Sequence, residues 1–252
     1  MLAALKRHPI PIEAFFEFSL VLTFAFPEAQ LRPLLPPGLT LDTYGENAFL
    51  AIALVQTRAL RPAGLPRWLG KDFFLSGYRI FTRYRNRAGR SLRGLRILRS
   101  DTDSRWMTTF GNLLTHYNYR LCSVDWRRDR DRLDLAIATP HGEADLVLRA
   151  DLVAPPLPPV GSPFPDWATA RRFAGPLPFT FDYEAATDSI VIIEGVRQNW
   201  NPRPVSVALE SAAFFNHPPF AGTPVVLANA FLLEGVAYRW RKGLVEPLEA
   251  SA

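Results

Sequence analysis

The sequence predicts a mainly β (α+β) fold, an antiparallel, barrel-like single domain with a few short outer helices. Large apolar side chains alternate with small or polar ones along much of the chain, which is the two-residue period of a strand. Aromatic residues make up 12% of the chain and proline occurs 23 times, which favours broad strands joined by many turns. No long helix and no repeat of fixed period is indicated. This pattern favours a largely antiparallel barrel.

The individual elements follow from local patterns. Strands are expected at residues 18–26, 39–42, 48–60, 73–85, 91–99, 117–126, 132–138, 144–152, 179–183, 190–198, 204–214 and 225–240. Short helices are expected at 27–32, 105–110 and 167–172. Pro27 suits the first turn of its helix, and Asp103 or Ser104 is a candidate cap for the second, which Gly111 interrupts.

The proline-rich stretch 154–165 is the one linker-like segment of the sequence. It could divide two domains, or it could cross one end of a single barrel. The strands before and after it have the same character, which favours the second interpretation. We therefore expect one domain over residues 1–252, with its core at about 15–242.

Composition narrows the class of protein. The formal charge is +5 and the pI about 9.6, but only Lys6, Lys71 and Lys242 are lysines, and the 24 acidic residues are spread through the same segments. Nucleic-acid binding is therefore not favoured. The longest apolar stretch, 14–26, is too short to span a membrane and contains Glu17. A single cysteine excludes an internal disulfide, and a cytoplasmic protein is expected.

The common catalytic and cofactor motifs are absent from the sequence. There is no glycine-rich dinucleotide turn, no phosphate-binding loop and no nucleophile elbow, so no cofactor is expected. The four histidines are too dispersed to indicate a metal site. Cys122 lies among apolar residues and is interpreted as an inert buried thiol.

Arginine is concentrated in one region, with nine residues of this type from Arg79 to Arg105. Most are interpreted as a solvated sheet face, and an anion-binding patch is the alternative. Arg79 is the exception, because it precedes the apolar pair 80–81 and is expected to be partly enclosed.

Two polar clusters interrupt apolar strands. The first comprises Asn112, Thr115, His116, Tyr117, Asn118, Tyr119 and Arg120, and the second Glu194, Arg197, Gln198, Asn199, Trp200 and Asn201. Each could be a strand end that reaches solvent. Together they favour a pocket at the mouth of a barrel, lined by aromatic side chains with a few convergent polar groups.

The order of several short motifs resembles that of acetoacetate-decarboxylase-like proteins, and most closely their uncharacterised YqjF-like branch, a domain-of-unknown-function family. The motifs are 26–27 with 35–39, 48–57, 78–82, 94–101 and the late element VRQNW at 196–200. The resemblance covers about residues 15–210. It implies a β-rich, barrel-like domain with a central pocket and outer helices.

The resemblance does not carry the decarboxylases' activity. Their catalytic lysine forms a Schiff base with the substrate ketone. Its counterpart here is approximately Tyr119, the counterpart of their glutamate is about Leu113, and none of the lysines falls in a matching place. What the resemblance implies for this chain is therefore the pocket.

Our first hypothesis is an enzyme-like small-molecule pocket with lyase or isomerase chemistry next to a carbonyl. Tyr119 would be the proton or hydrogen-bond donor and His116 the acid–base group. The candidate ligand-binding residues are Arg197, Asn199, Tyr117, Arg79, Arg120 and Trp200. The alternatives are a non-catalytic binding protein for a small acidic or carbonyl ligand and, more weakly, an arginine-rich surface for an acidic partner. The expected partner is a small carboxylate or ketone, and a homo-oligomer is left open.

Strand alternation predicts which of these side chains point inward. Tyr117 and Tyr119 share one face and Arg120 takes the other, while Arg197 and Asn199 are expected to share a face opposite Trp200. An inward Arg197 would need an acidic partner such as Glu194 or Glu210, or an anionic ligand.

Overall fold

Two β-sheets make up most of the molecule, in a computed structural model that describes residues 3–175 and 177–248. The strands are β1 Ile12–Pro27, β2 Leu39–Leu41, β3 Asn47–Pro62, β4 Lys71–Arg85, β5 Ser91–Thr102, β6 Tyr119–Leu121, β7 Ser123–Arg128, β8 Arg132–Ala138, β9 Leu146–Asp151, β10 Phe179–Glu184, β11 Ser189–Arg197, β12 Arg203–Pro204, β13 Ser206–Ala212, β14 Val226–Trp240 and β15 Leu244–Pro247. The α-helices are α1 Glu28–Leu31, α2 Asn112–Leu114 and α3 Trp167–Ala174. Short 3-10 helices lie at Ala3–Arg7, Arg32–Leu34, Arg67–Leu69, Ala185–Thr187 and Ala213–Asn216, and a π-helix at Met107–Gly111 leads directly into α2.

The larger sheet curls into a barrel-like wall. Its strand order is β12-β14-β1-β3-β4-β5-β10-β11-β15, and β11 also pairs with β14. Two of these contacts are short: β10 meets β5 in parallel over two residue pairs, and β11 meets β14 over three. The fold is therefore mainly β and barrel-like, as the sequence predicts, without being a fully closed barrel.

The second sheet, in the order β13-β9-β8-β7, packs against one side of this wall. The even-numbered residues of β1 from Phe18 to Phe26 are buried in a core that also contains Leu135 of β8 and Leu148 of β9. The odd-numbered residues Ser19 and Val21 face the opposite way and line the interior of the larger sheet. Strand alternation thus separates the core between the sheets from the barrel-like interior.

An irregularity in β5 changes which of its residues face that interior. The register against β4 shifts at Leu98, because Tyr78 pairs with Arg99 whereas Arg79 pairs with Ile97. A bulge of this kind re-aims the following side chains. Ile97 and Ser100 consequently both line the interior, although they are three residues apart.

Several expected elements differ in detail. The segment expected as one strand at 117–126 is divided, since β6 joins the larger sheet beside β5 and β7 begins the second sheet. The expected strand at 39–42 does not pair with its neighbour at 48–60, because β2 pairs with β4 instead.

The helix expected at 105–110 is not interrupted at Gly111, which was a wrong expectation. Gly111 has helical backbone angles, and the helical segment continues to Leu114. The amide of Met107 donates to the hydroxyl of Ser104 at 3.4 Å, which identifies the cap. Within the described residues, no helix has the length and apolar character needed to cross a membrane.

Candidate functional site

A cavity of about 120 Å³ lies inside the curled sheet. It has room for about four water-sized groups. Most of its lining is apolar, and the polar or amphipathic contributors are Ser19, Arg79, Ser100, Tyr117, Tyr119, Thr180, Arg197, Trp200, Tyr238 and Trp240. Apolar walls with a few convergent polar groups are typical of small-molecule sites.

The charged side chains that line the cavity are both positive. Arg79 and Arg197 line the cavity, and no aspartate, glutamate, histidine or lysine does so among residues 3–175 and 177–248. The acids expected as partners of Arg197 are engaged elsewhere, Glu194 with Arg241 at 3.0 Å and Glu210 with Arg149 at 3.7 Å.

Arg79 enters the cavity from β4. Its Nε is buried and has no hydrogen-bond partner, and no ion pair reaches this side chain from any described part of the chain. Burial lowers the pKa of Arg79, since the charged form is poorly solvated there. The side chain fits because of Gly77, where a Cβ would lie 2.8 Å from Arg79 Nε.

Arg197, at the end of β11, is held by aromatic rings. Its guanidinium carbon lies 4.1 Å from the ring centre of Trp200 and 5.5 Å from that of Tyr238. These are cation–π distances. Nη2 is buried without a hydrogen-bond partner, and burial lowers the pKa of this guanidinium as well. The side chain is therefore fixed in place by stacking rather than by an opposite charge.

Tyr119 is positioned through its backbone. The side chain of Asn112 in α2 accepts from Tyr119 N at 2.7 Å and donates to Tyr119 O at 2.9 Å. Burial raises the pKa of Tyr119, with the charge of Arg79 acting in the opposite direction. Burial also raises the pKa of Tyr117 well above its ordinary value. Both phenols are consequently protonated at neutral pH and available as hydrogen-bond donors.

Glycines make room for the other rings of the cavity. A Cβ on Gly111 would lie 2.5 Å from the Tyr119 ring, and one on Gly195 would lie 1.9 Å from the Tyr238 hydroxyl. Neither distance is compatible with a side chain at that glycine. The cavity is thus shaped by close approaches of ring to backbone.

Five of the eight residues expected at a site line this cavity: Tyr117, Tyr119, Arg79, Arg197 and Trp200. The two polar clusters of the sequence therefore meet in one place. His116, Arg120 and Asn199 do not line the cavity.

Each of the three outlying residues points elsewhere for a local reason. His116 lies in the bend before β6 and does not line the cavity, and burial lowers the pKa of its imidazole. Arg120 is exposed and lies 3.6 Å from Glu143. Asn199 is exposed, with a left-handed φ of 59°.

The expectation that Arg197 and Asn199 share a face opposite Trp200 was wrong. Strand β11 ends at Arg197, so strict alternation no longer applies beyond it. The turn at Asn199 brings Trp200 back beside Arg197.

Sequence reasoning missed Tyr238 and Trp240 of β14 and Thr180 of β10. The alternation of side chains around these three residues is that of an ordinary strand. Tyr238 pairs with Arg197 across β11 and β14, and this pairing would have indicated it. Predicting the pairing requires the register of the two strands, which the sequence alone does not provide.

A second, more apolar cavity of about 90 Å³ adjoins the first. The two share the side chains of Phe16, Leu75, Tyr117, Tyr119 and Trp240. Trp106 and Phe110 also line the second cavity and are partly exposed, which makes this side of the site hydrophobic.

The described residues contain no cluster of three or more His, Cys, Asp or Glu side chains that could hold a metal ion. Cys122 is buried, and burial raises the pKa of its thiol to about 12. It is therefore a neutral thiol at physiological pH, which agrees with its interpretation as inert.

Several solved structures share this fold. Acetoacetate decarboxylase from Legionella pneumophila matches with a TM-score of 0.62 and 13% identity, over 94% of this chain and 88% of that one. An acetoacetate decarboxylase-like enzyme from Sphingomonas wittichii RW1 matches with a TM-score of 0.60 and 13% identity, over 94% and 92%. The enduracididine biosynthesis enzyme MppR, complexed with pyruvate, matches with a TM-score of 0.59 and 12% identity, over 94% and 90%.

At these identities the structural matches establish the fold alone. A search of curated protein sequences gave no match. A family model does match residues 16–231, that of DUF2071, described as an uncharacterized conserved protein (COG2071). The chain therefore belongs to the DUF2071 family, with the fold of acetoacetate-decarboxylase-like proteins that its sequence motifs resemble.

Proposed function

We propose that the protein binds a small organic acid that carries a carbonyl group, and that it acts next to that carbonyl as a lyase or isomerase without a Schiff-base lysine. The observation that supports this most strongly is the pair Arg79 and Arg197, two partly buried guanidinium groups on a cavity whose described lining has no acid. Each has a buried nitrogen without a hydrogen-bond partner. A cytoplasmic location, expected from the sequence, is part of the same proposal.

The physical argument concerns uncompensated charge. A buried cation without a partner costs several kcal/mol, and two of them in one cavity also repel each other. A carboxylate between Arg79 and Arg197 would remove both penalties. Guanidinium presents paired donors that match the two oxygens of a carboxylate.

Tyr119 supplies the group suited to a carbonyl. Its raised pKa keeps the phenol protonated, and the backbone clamp from Asn112 fixes its position. A hydrogen bond from this hydroxyl to a carbonyl oxygen would stabilise negative charge that develops on that oxygen.

The lysines support chemistry without a Schiff base. Lys6, Lys71 and Lys242 are all exposed, and none lines the cavity. We therefore expect borohydride added with pyruvate to trap no adduct. Mass spectrometry that located a reduced pyruvate adduct on one of these lysines, with loss of activity, would contradict this part of the proposal.

A non-catalytic binding protein is the second candidate. It is favoured by the absence of aspartate, glutamate, histidine and lysine from the described lining, which leaves no ordinary general base there. Exchange of the methyl protons of pyruvate with deuterated water, followed by NMR, separates the two candidates. Protein-dependent exchange supports the enzyme, whereas tight binding without exchange supports the binding protein.

Calorimetric titration with pyruvate tests the shared claim of an acid-binding cavity. Pyruvate is the first probe because MppR, which has the same fold, was solved with it. We expect Arg197→Met and Arg79→Met each to weaken binding by about 10- to 100-fold, since a hydrogen bond to a charged group contributes about 1.5–3 kcal/mol.

Arg120→Met is the matched control, because Arg120 is an exposed arginine beside Tyr119 that does not line the cavity. The affinity of Arg120→Met for pyruvate should stay within about twofold of that of the wild type. Equal losses in all three variants would indicate a general effect of surface charge instead, and would overturn the assignment to the cavity.

A further inference from the structure

A third cavity, of about 30 Å³, lies at one end of the main cavity. The two share the side chains of Val21, Ala174, Trp200 and Leu233. By volume, the small cavity has room for about one water-sized group.

Strand periodicity shows how the small cavity continues the large one. Thr23 follows Val21 on the same face of β1, and its register partner on β14 is Asn229. Two residues advance a strand by about 7 Å, so the Thr23–Asn229 pair forms the next inward row beyond Val21. Both residues line the small cavity.

The polar groups of this row have no partners. Thr23 and Asn229 are fully buried, and neither the Thr23 hydroxyl nor the oxygen or nitrogen of the Asn229 amide has a hydrogen bond within the described chain. Buried polar side chains are nearly always paired, so an asparagine with both ends unpaired requires an explanation.

Trp200 adds a third unpartnered group and connects the two cavities. Its ring stacks on Arg197 at 4.1 Å, and its Nε1 is buried without a partner. That nitrogen lies 3.5 Å from the position that a Cβ on Gly175 would take, and Gly175 lines the small cavity. The same indole therefore borders both the arginine and the polar row.

We propose that Thr23, Asn229 and Trp200 form a subsite for a neutral hydrogen-bonding group, a hydroxyl or a carboxamide, at the far end of the acid. This rests on the proposed function, because the carboxylate of the same ligand is held by Arg79 and Arg197. An amide and a hydroxyl each donate and accept, and an indole donates, which suits a group that does both. Arg171 also lines the small cavity, but it is exposed and its guanidinium donates to Asn201 at 3.4 Å. The buried members of the row carry no charge, so the group beside Thr23 and Asn229 is a neutral one.

Pairs of acids with the same chain length, one with a terminal hydroxyl and one without, test the subsite. Each ω-hydroxy acid from 3-hydroxypropanoate to 6-hydroxyhexanoate is compared by calorimetry with the acid in which methyl replaces the hydroxyl. At the chain length that reaches the subsite, we expect the hydroxy acid to bind at least tenfold more tightly. A site built to hydrogen-bond a hydroxyl discriminates against the analogue that lacks it.

Asn229→Leu is the informative variant, because leucine has a similar size and no polar atom. The preference for the hydroxy acid should disappear in this variant. Asn216→Leu makes the same change at an exposed residue that lines none of these cavities, and should retain the preference. Thr23→Val is a second isosteric variant, expected to reduce the preference, and is used if Asn229→Leu does not fold.

The outcomes separate this inference from the proposed function. If neither pyruvate nor any of these acids binds to the wild type, the proposed function fails. If acids bind but no length shows a preference, the polar row holds only ordered water and the subsite is refuted. A preference that survives in Asn229→Leu, or that is undiminished in Thr23→Val, would also overturn it.

Discussion

Arg79 and Arg197 reach the same cavity by different means. Arg79 lies beside a glycine on its own strand, and Arg197 is stacked between Trp200 and Tyr238. Neither arrangement needs an acidic neighbour. A ligand carboxylate is therefore the group that would complete the local charge balance.

At the residue scale, alternation predicted the inward Tyr119 and the outward Arg120 of β6 correctly. Tyr117 also lines the cavity, although it lies in a bend before β6 and is followed by Asn118 with a left-handed φ of 53°. The same rule was wrong for Trp200, because the strand had ended and the left-handed residue Asn199 changed the direction of the chain. Sequence periodicity identifies inward side chains inside a strand, but it does not locate the residue at which the strand stops.

Asp182 of β10 gives a prediction about pH. It is fully buried, one of its oxygens pairs with Arg96 at 2.5 Å, and the other has no partner within the described chain. Burial raises the pKa of Asp182 from 3.8 to about 6, against the opposing charge of Arg96. Because the folded state holds this proton more tightly than the unfolded state, the contribution to stability is present below about pH 4 and is lost as the pH rises through about 6.

Urea unfolding of the wild type and of Asp182→Asn from pH 4 to pH 7 measures this effect. Subtracting the unfolding free energy of the variant from that of the wild type cancels the contributions of the other carboxyl groups, which titrate in both proteins. The difference in unfolding free energy, wild type minus variant, should fall by up to about 3 kcal/mol as the pH rises. A difference that stays constant or increases over this range would show that Asp182 is not held protonated by burial.

At the element scale, long alternating strands were the most predictable part of the fold. The strands expected at 73–85 and 91–99 form the antiparallel hairpin of β4 and β5, because their alternation agrees with the turn residues Asn86 and Gly89 between them. What alternation could not predict was partner choice. β2 pairs with β4 and β6 lies parallel to β5, and both pairings depend on contacts between segments that are distant in sequence.

The bulge at Leu98 was also beyond sequence reasoning. It moves Ser100 onto the cavity lining and leaves Arg99 buried in an ion pair with Asp101 at 2.8 Å. No local composition marks Leu98 as the extra residue. The polar lining of the site is therefore partly set by a register that only the assembled sheet determines.

At the scale of the whole molecule, the proline-rich segment 154–165 connects the two halves of the sequence. Its Ser162 hydroxyl donates to Ala228 O at 2.7 Å, and its Phe164 ring stacks on Phe49 at 5.4 Å. These contacts join the segment to β14 and β3 of the larger sheet.

A single domain remains a prediction, and limited proteolysis tests it. Because the segment packs against both halves, we expect a cut within 154–165 to leave the two fragments associated and unfolding together in a single transition. Fragments that separate on gel filtration and each retain their own cooperative unfolding would show two domains instead.

The most direct test of the acid-binding cavity is a crystal structure of the protein with pyruvate. We predict that the pyruvate carboxylate lies between Arg79 and Arg197, with nitrogen–oxygen distances of about 2.7–3.2 Å, and that the Tyr119 hydroxyl donates to the keto oxygen. Pyruvate bound only among the surface arginines, with water alone between Arg79 and Arg197, would contradict the account.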